Sequence, residues 1–119
     1  MVEPIGLVPF VPSGSGFAKS RHLFRTLGFE ELWANDGFAG FQYGPAKFIL
    51  QNMDEPAFAG NYTLKIEVSD LDAWWVEVQQ KKLDQQFPGF GMKPPTDYPW
   101  GREVHFVDFA GVCWHVGQP

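Results

Sequence analysis

The sequence predicts an α+β domain made of two copies of one β-α-β-β-β unit. Three observations favour this fold. The chain has 119 residues, the usual size of one domain. A strand, a helix and three strands are predicted twice, with a seam near residue 60. The stretch NYTLKIEVS alternates apolar and polar residues and starts the second copy as a strand. The predicted modules are residues 1–60 and 61–119 of a single domain.

The first module is expected to start with a strand over residues 4–12, PIGLVPFVP. Its prolines favour an edge strand or one exchanged with another subunit. Residues 17–26 have apolar side chains at helical spacing and predict a helix. Two strands should then flank a tight Asn-Asp-Gly turn at 35–37, where Asp-Gly readily supplies a positive φ. A third strand is predicted over 46–52.

The second module repeats this order. Its first strand places on one face the apolar residues Tyr62, Leu64, Ile66 and Val68, and on the other Thr63, Lys65 and Glu67. Asp70 is the expected N-cap of a helix whose core-packing positions are Leu71, Trp74, Trp75 and Val78. Residues 83–101 predict a broken strand and a long Pro/Gly loop. Segments 102–109 and 111–117 predict a closing hairpin.

Composition limits the classes of partner. The chain has 9 basic and 14 acidic residues, a net charge of -5, and no basic stripe, which argues against a nucleic-acid partner and favours a cationic ligand. Cys113 is the single cysteine, so no internal disulfide is possible and a reducing compartment is favoured. No apolar run of about 18 residues predicts a membrane span, and the proline-interrupted start is a poor signal peptide. We therefore expect a cytoplasmic protein without a membrane partner.

Several residues are of types that are common in active sites, but their positions in the sequence do not predict a catalytic site. Glu103 and His105 alternate onto one strand face, where a solvated or hydrogen-bonded face is expected rather than an acid/base pair. His22 is expected to be a solvated helix residue. Cys113 has no base placed near it and is expected to be a small buried thiol rather than a nucleophile.

A ligand surface is the better prediction for two aromatic residues. Trp100 follows a Pro-rich loop rather than a periodic core position, and loops are where binding residues concentrate. Phe38 comes directly after the predicted turn. The polar strand face of Thr63, Lys65 and Glu67 either lines a cleft or faces bulk solvent, and the sequence leaves both possibilities open.

Four stretches match a known family in order over nearly the whole chain: RTLGFE (25–30), DGFAGF (36–41), YTLKIEVSDLDA (62–73) and PWGREVHFVDFAGVCWHV (99–116). They resemble the bleomycin-resistance branch of the glyoxalase/bleomycin-resistance/dioxygenase (vicinal oxygen chelate) superfamily. The C-terminal stretch is the most specific. Residues 13–20 and 84–97 match least, and ligand choice is expected to reside there.

The resemblance implies a homodimer that exchanges its N-terminal strand, with Pro9 near the crossover. Two clefts would form between the subunits, and each would sequester one bleomycin-type glycopeptide. Such drugs have a flat bithiazole, a cationic tail and a metal-chelating head. The implied function is antibiotic resistance by binding alone, with no cofactor and no bond made or broken.

The same resemblance implies the ligand-binding residues. Phe38 and Trp100 would sandwich the bithiazole, and Trp33 falls where the family also has an aromatic residue. The cleft would further contain Thr63, Glu67 and His115. The cationic tail would be attracted by the nearest acidic candidates, Asp36, Glu103 and Asp108. Lys65 departs from this pattern, because a cation opposes a cationic drug, and it is expected to pair with Glu67 or Asp70.

Enzymes of this superfamily hold a metal through three or four inward His or Glu residues, and a catalytic site needs at least three ligands. In this sequence the positions that match those metal ligands are Val8-Pro9, Thr63 and His115, and of these only the His115 side chain is a good metal ligand. We therefore expect no metal and no catalytic residue. The alternatives are a metal-dependent lyase, dioxygenase or thiol transferase, and a binding protein for another planar metabolite.

Overall fold

Two four-stranded sheets, one in each half of the chain, form the framework of the protein. The structure is a computed structural model that describes residues 1–119. The elements are, in chain order, β1 (Phe10–Pro12), α1 (Phe17–Leu27), β2 (Glu30–Ala34), β3 (Phe38–Tyr43), β4 (Ala46–Gln51), α2 (Pro56–Ala59), β5 (Thr63–Glu67), α3 (Leu71–Gln80), α4 (Leu83–Gln86), β6 (Met92–Tyr98), β7 (Gly101–Val107) and β8 (Cys113–Gly117).

The two sheets have the same topology. Their strand orders are β1-β4-β3-β2 and β5-β8-β7-β6. In each sheet the first strand of the module runs parallel to the last, and the other neighbours are antiparallel. The predicted α+β fold of two β-α-β-β-β modules is therefore confirmed. None of the helices is both long enough and apolar enough to cross a membrane.

Aromatic side chains join the two modules in one core. The ring of Phe24 on α1 lies 4.8 Å from that of Phe48 on β4 and 5.3 Å from that of Trp114 on β8. From α3, the predicted core residues Leu71, Trp74 and Val78 are buried, while Trp75 is partly buried. Asp70 caps α3 as predicted, because its side chain accepts a hydrogen bond from the backbone N–H of Ala73 at 3.0 Å.

The N-terminal strand is shorter than predicted. It occupies an edge, as its prolines indicated, but pairs with β4 only over residues 10–12. The Pro9 carbonyl accepts a hydrogen bond from Ile49 at 2.9 Å, and residues 1–8 make no backbone hydrogen bond. The register explains this, because β4 begins at Ala46 and leaves most of residues 1–8 without a partner. Residues 1–8, the N-terminal arm, expose their apolar side chains, which are Met1, Val2, Ile5, Leu7 and Val8.

The prediction of a broken strand and a long loop over 83–101 is wrong in part. Residues 92–98 form β6, which lies at the edge of the second sheet. Its register shifts between Lys93 and Thr96, where the two prolines stand. Prolines are tolerated at edges and bulges because the missing N–H donors are not needed there.

The predicted turn at 35–37 is present, but its mechanism differs from the expected one. Gly37 is not among the residues with positive φ. The side-chain oxygen of Asn35 instead accepts hydrogen bonds from the backbone N–H groups of Gly37 and Phe38, both at 2.9 Å. The asparagine side chain therefore stabilises the reversal of the chain.

Candidate functional site

One face of the second sheet collects three of the six predicted ligand-binding residues, which are Thr63, Glu67 and His115. Strand alternation sends Val104, Phe106, Trp114 and Val116 into the core. The opposite side, called here the polar face, consists of Thr63, Lys65, Glu67, Glu103, His105, Cys113 and His115. Register pairs Lys65 with His115 and His115 with His105, so these three side chains form a row across β5, β8 and β7.

Glu103 is the centre of this face. Its Oε1 accepts a hydrogen bond from Trp100 Nε1 at 2.8 Å and lies 2.9 Å from His105 Nε2 and 3.1 Å from His115 Nδ1. The Nζ atom of Lys65 is 3.4 Å from the other oxygen, Oε2. Only 2% of Glu103 is exposed. The expected hydrogen-bonded face is thus present, but Glu103 is not solvated.

Gly117 provides the space for this carboxylate. It is the register partner of Glu103, and a Cβ atom at position 117 would lie 3.0 Å from Glu103 Cγ. Any larger residue would have to displace the glutamate side chain. The glycine at the end of β8 is therefore part of the site.

The hydrogen bonds keep Glu103 ionised. Burial disfavours its charge, but hydrogen bonds from His105, Trp100 and Lys65 and the proximity of His115 outweigh burial and lower the pKa to about 2. An ionised carboxylate only accepts hydrogen bonds. His105 therefore carries a proton on Nε2. The expected pairing of Lys65 with Glu67 or Asp70 is wrong, because its partner is Glu103.

Four rings stack beside this carboxylate in a ring column of Trp100, Tyr98, His105 and His115. The centroid separations along it are 5.0, 4.5 and 3.7 Å, with interplanar angles of 10°, 14° and 21°. Trp100 ends the column and is 63% exposed. Sequence reasoning missed Tyr98. The available signal was its place two residues before Trp100 in an extended segment.

The first sheet carries a second group of aromatic residues. Phe10, Trp33 and Phe38, called here the aromatic face, lie on the side opposite the buried Val11, Ala39 and Leu50. Phe10 contacts Phe38 edge-to-face at 6.1 Å. Within one chain, Phe38 pairs with Phe10 and Trp100 with Tyr98, so the two predicted sandwich residues do not stack on each other.

Asp108 does not have the predicted role of attracting a cationic tail. It is 8% exposed, and its Oδ1 accepts hydrogen bonds from the backbone N–H groups of Ala110, Gly111 and Val112 at 3.0, 3.2 and 3.0 Å. Its Oδ2 accepts from Trp114 Nε1 at 2.8 Å. Burial raises the pKa of Asp108, and these hydrogen bonds oppose the rise. Asp108 organises the turn between β7 and β8.

Cys113 and His22 have no feature of activated groups. Cys113 is half-buried, and burial, followed by the charge of Asp108, raises the pKa of its thiol. A raised pKa leaves less of the nucleophilic thiolate at neutral pH. His22 is exposed on α1, as expected, and its ring packs in a T-shaped arrangement with that of Phe87.

The expectation that His115 is a lone potential metal ligand is wrong. Glu103, His105 and His115 bring three potential ligand atoms within 4.8 Å of one another. Their arrangement does not fit a metal ion, however. A metal ion bound to an imidazole nitrogen lies in the plane of the ring, about 2.0–2.1 Å from that nitrogen. The rings of His105 and His115 are stacked with their centroids 3.7 Å apart and their planes only 21° from parallel. A single metal ion therefore cannot lie in both ring planes at that distance from both nitrogens. Lys65 also places an ammonium group 3.4 Å from the carboxylate.

Solved structures with this fold identify the family. The bleomycin-binding protein from bleomycin-producing Streptomyces verticillus, complexed with copper(II)-bleomycin, is 30% identical, with 100% of this chain and 99% of that chain covered and a TM-score of 0.81. The chain belongs to the bleomycin-binding family. This family is part of the glyoxalase/bleomycin resistance/dioxygenase superfamily. No protein-family model and no curated protein sequence matches the chain.

Two further structures illustrate the range of the fold. A bleomycin resistance determinant encoded on the transposon Tn5 is 18% identical, covers 97% and 98% of the two chains and has a TM-score of 0.79. A lactoylglutathione lyase from Agrobacterium tumefaciens is 14% identical, covers 97% and 94%, and has a TM-score of 0.68. The fold is thus shared by binding proteins and enzymes, and the site residues decide between these functions.

Proposed function

We propose that this protein binds and sequesters a bleomycin-type glycopeptide without changing it chemically. The observation that carries the proposal is the ring column, which presents the exposed indole of Trp100 at its end. A flat heteroaromatic group stacking there would gain about 0.5–1.5 kcal/mol beyond the area it buries. The relative of 30% identity in complex with copper(II)-bleomycin supports this ligand class.

A homodimer is the second part of the proposal. The aromatic face and the ring column do not meet within one chain, yet both leave aromatic rings exposed, which are Phe10, Trp33 and Trp100. The exposed N-terminal arm has five apolar side chains and no partner strand. If the arm, which precedes Pro9, were exchanged between two copies of the chain, its apolar side chains would be buried against the partner subunit. The same exchange would place Phe38 of one subunit opposite Trp100 of the other.

The remaining side chains favour binding over catalysis. The Cys113 thiol is not activated, and Glu103, His105 and His115 are engaged with one another rather than arranged around a metal. Asp36 at the hairpin tip and Glu67 on β5 are exposed carboxylates that can attract a cationic tail. Lys65 does not oppose that tail strongly, because its charge is paired with that of Glu103.

A fluorescence titration with metal-free and copper-loaded bleomycin tests this function. We expect saturation at one drug molecule per chain and an unchanged drug mass afterwards. Trp100→Ala and Phe38→Ala should each bind clearly more weakly. The absence of saturable binding, or a drug of altered mass, would contradict the proposal. Turnover of any substrate that is abolished by a chelator would favour a metal-dependent enzyme instead.

A further inference from the structure

We propose that Glu103 is the positioning residue of this site, whose single oxygen Oε1 holds the Trp100 indole and both histidines in place before a ligand arrives. The inference deepens the proposed function and rests on it for the identity of the ligand. The sequence placed Glu103 among the acidic groups that attract a cationic tail. Its burial assigns it a different role, because a carboxylate that is 2% exposed cannot contact a ligand.

Trp100 needs such a partner. It follows Pro99, precedes Gly101 and has most of its surface in solvent. Tyr98 covers only one of its faces. The 2.8 Å hydrogen bond from Nε1 to Glu103 is the one polar contact of its side chain, and it fixes the direction in which the indole points. Because the acceptor is ionised, this bond belongs to the stronger, charge-assisted class.

Glu103 is itself held firmly enough to serve as an anchor. Lys65 contacts Oε2, while His105 and His115 contact Oε1 from the strand positions next to it. The space above Gly117 accommodates the side chain. Since the same oxygen contacts rings at both ends of the column, losing the carboxylate would release Trp100 and the two histidines together.

By orienting the Trp100 indole in advance, Glu103 is expected to increase the affinity for the ligand. An indole that is already oriented does not lose that rotamer freedom on binding, which corresponds to roughly three- to tenfold in affinity for one side chain. Glu103→Ala should therefore weaken bleomycin binding by roughly tenfold. Glu103→Gln keeps an acceptor oxygen for the indole and should retain most of the affinity. Asp97→Asn, which removes an exposed carboxylate of the same hairpin, is the matched control and should bind as wild type does.

A ligand-free measurement makes the positioning role independent of the ligand's identity. In ¹H–¹⁵N spectra the Trp100 indole resonance is identified by its loss in Trp100→Phe. We expect this resonance to exchange slowly with water in wild type and in Glu103→Gln, and to shift and exchange faster in Glu103→Ala. Histidine ¹⁵N shifts should show protonated Nε2 on His105 in the wild type. Unchanged indole exchange in a folded Glu103→Ala protein would overturn the proposal.

The two proposals fail in different ways. If Glu103→Ala frees the indole but the wild type binds no bleomycin, the positioning role stands and the proposed ligand is wrong. Zinc or nickel ions added alone are expected to leave the histidine resonances unchanged. Stoichiometric metal binding that shifts these resonances and is lost in His105→Ala would replace the positioning role with a metal site.

Discussion

The indole of Trp33 lies directly over Gly40 on the neighbouring strand, and the two residues are register partners. A Cβ atom at position 40 would clash with Nε1, Cε2 and Cδ1 of this ring. Gly40 is itself buried and lies beside Ala39 in β3. The position of Trp33 on the aromatic face therefore depends on the absence of a side chain at residue 40.

Gly40→Ala should displace Trp33 and lower stability. Overpacking of this kind costs about 1–3 kcal/mol in the free energy of unfolding. In a Trp33→Ala background the clash is absent, so the same substitution should cost much less. Urea denaturation of the four proteins of this double-mutant cycle measures the coupling. Additive effects of the two substitutions would show that the ring does not rest on Gly40 in solution.

Asp108→Asn should be strongly destabilising although it removes only one charge. An amide group at Asp108 can accept the three backbone hydrogen bonds, but its NH₂ group would then face the Trp114 N–H, which is also a donor. Leaving a buried donor unsatisfied costs about 1–3 kcal/mol. Urea denaturation checks the value, with the exposed Asp36→Asn as the matched control. Equal midpoints for the two variants would contradict a structural role for Asp108.

Glu103 should make stability depend on pH in a defined window. Its pKa falls from the ordinary 4.5 to about 2 in the folded protein, so the unfolded chain takes up the proton first as the pH is lowered. The ionised carboxylate stabilises the fold fully above about pH 4.5, and this contribution is lost as the pH falls toward 2. Denaturation midpoints should therefore separate wild type from Glu103→Gln at pH 6 and converge as the pH falls through this window. A separation of the two midpoints that stays constant from pH 6 down to pH 2 would contradict this role of the Glu103 carboxylate.

The local features of this fold are readable from the sequence, and the long-range contacts are not. The alternation of Thr63 to Glu67 and the Asp70 cap are signals within a few residues, and both appear as predicted. The partners of Glu103 depend on the register between β7 and β8, which brings His115 beside His105. Nothing in the spacing of these residues fixes that register, so the sequence described the pair of Glu103 and His105 but not the anchored ring column.

Burial is the second property that the sequence leaves undetermined. Glu103 and Asp108 were both predicted to attract a cation, since an acidic residue in a polar stretch is usually exposed. The structure places both below 10% exposure with their oxygens occupied. Hydrogen bonds to backbone and indole N–H groups offset the burial of a carboxylate, and such partners are known only once the turn and the sheet are formed.

A mixing experiment tests where the two halves of the proposed cleft come from. If each cleft combines Phe38 of one subunit with Trp100 of the other, a dimer of one Phe38→Ala and one Trp100→Ala subunit contains one intact cleft and one that lacks both rings. Co-refolding the two variants in equal amounts gives half mixed dimers, so about a quarter of all clefts should regain wild-type affinity for bleomycin. If both rings came from the same chain, every cleft would lack one ring and no affinity would return. Titration of the mixture and of each variant alone distinguishes these results, and sedimentation of the wild type as a stable monomer would contradict the dimer itself.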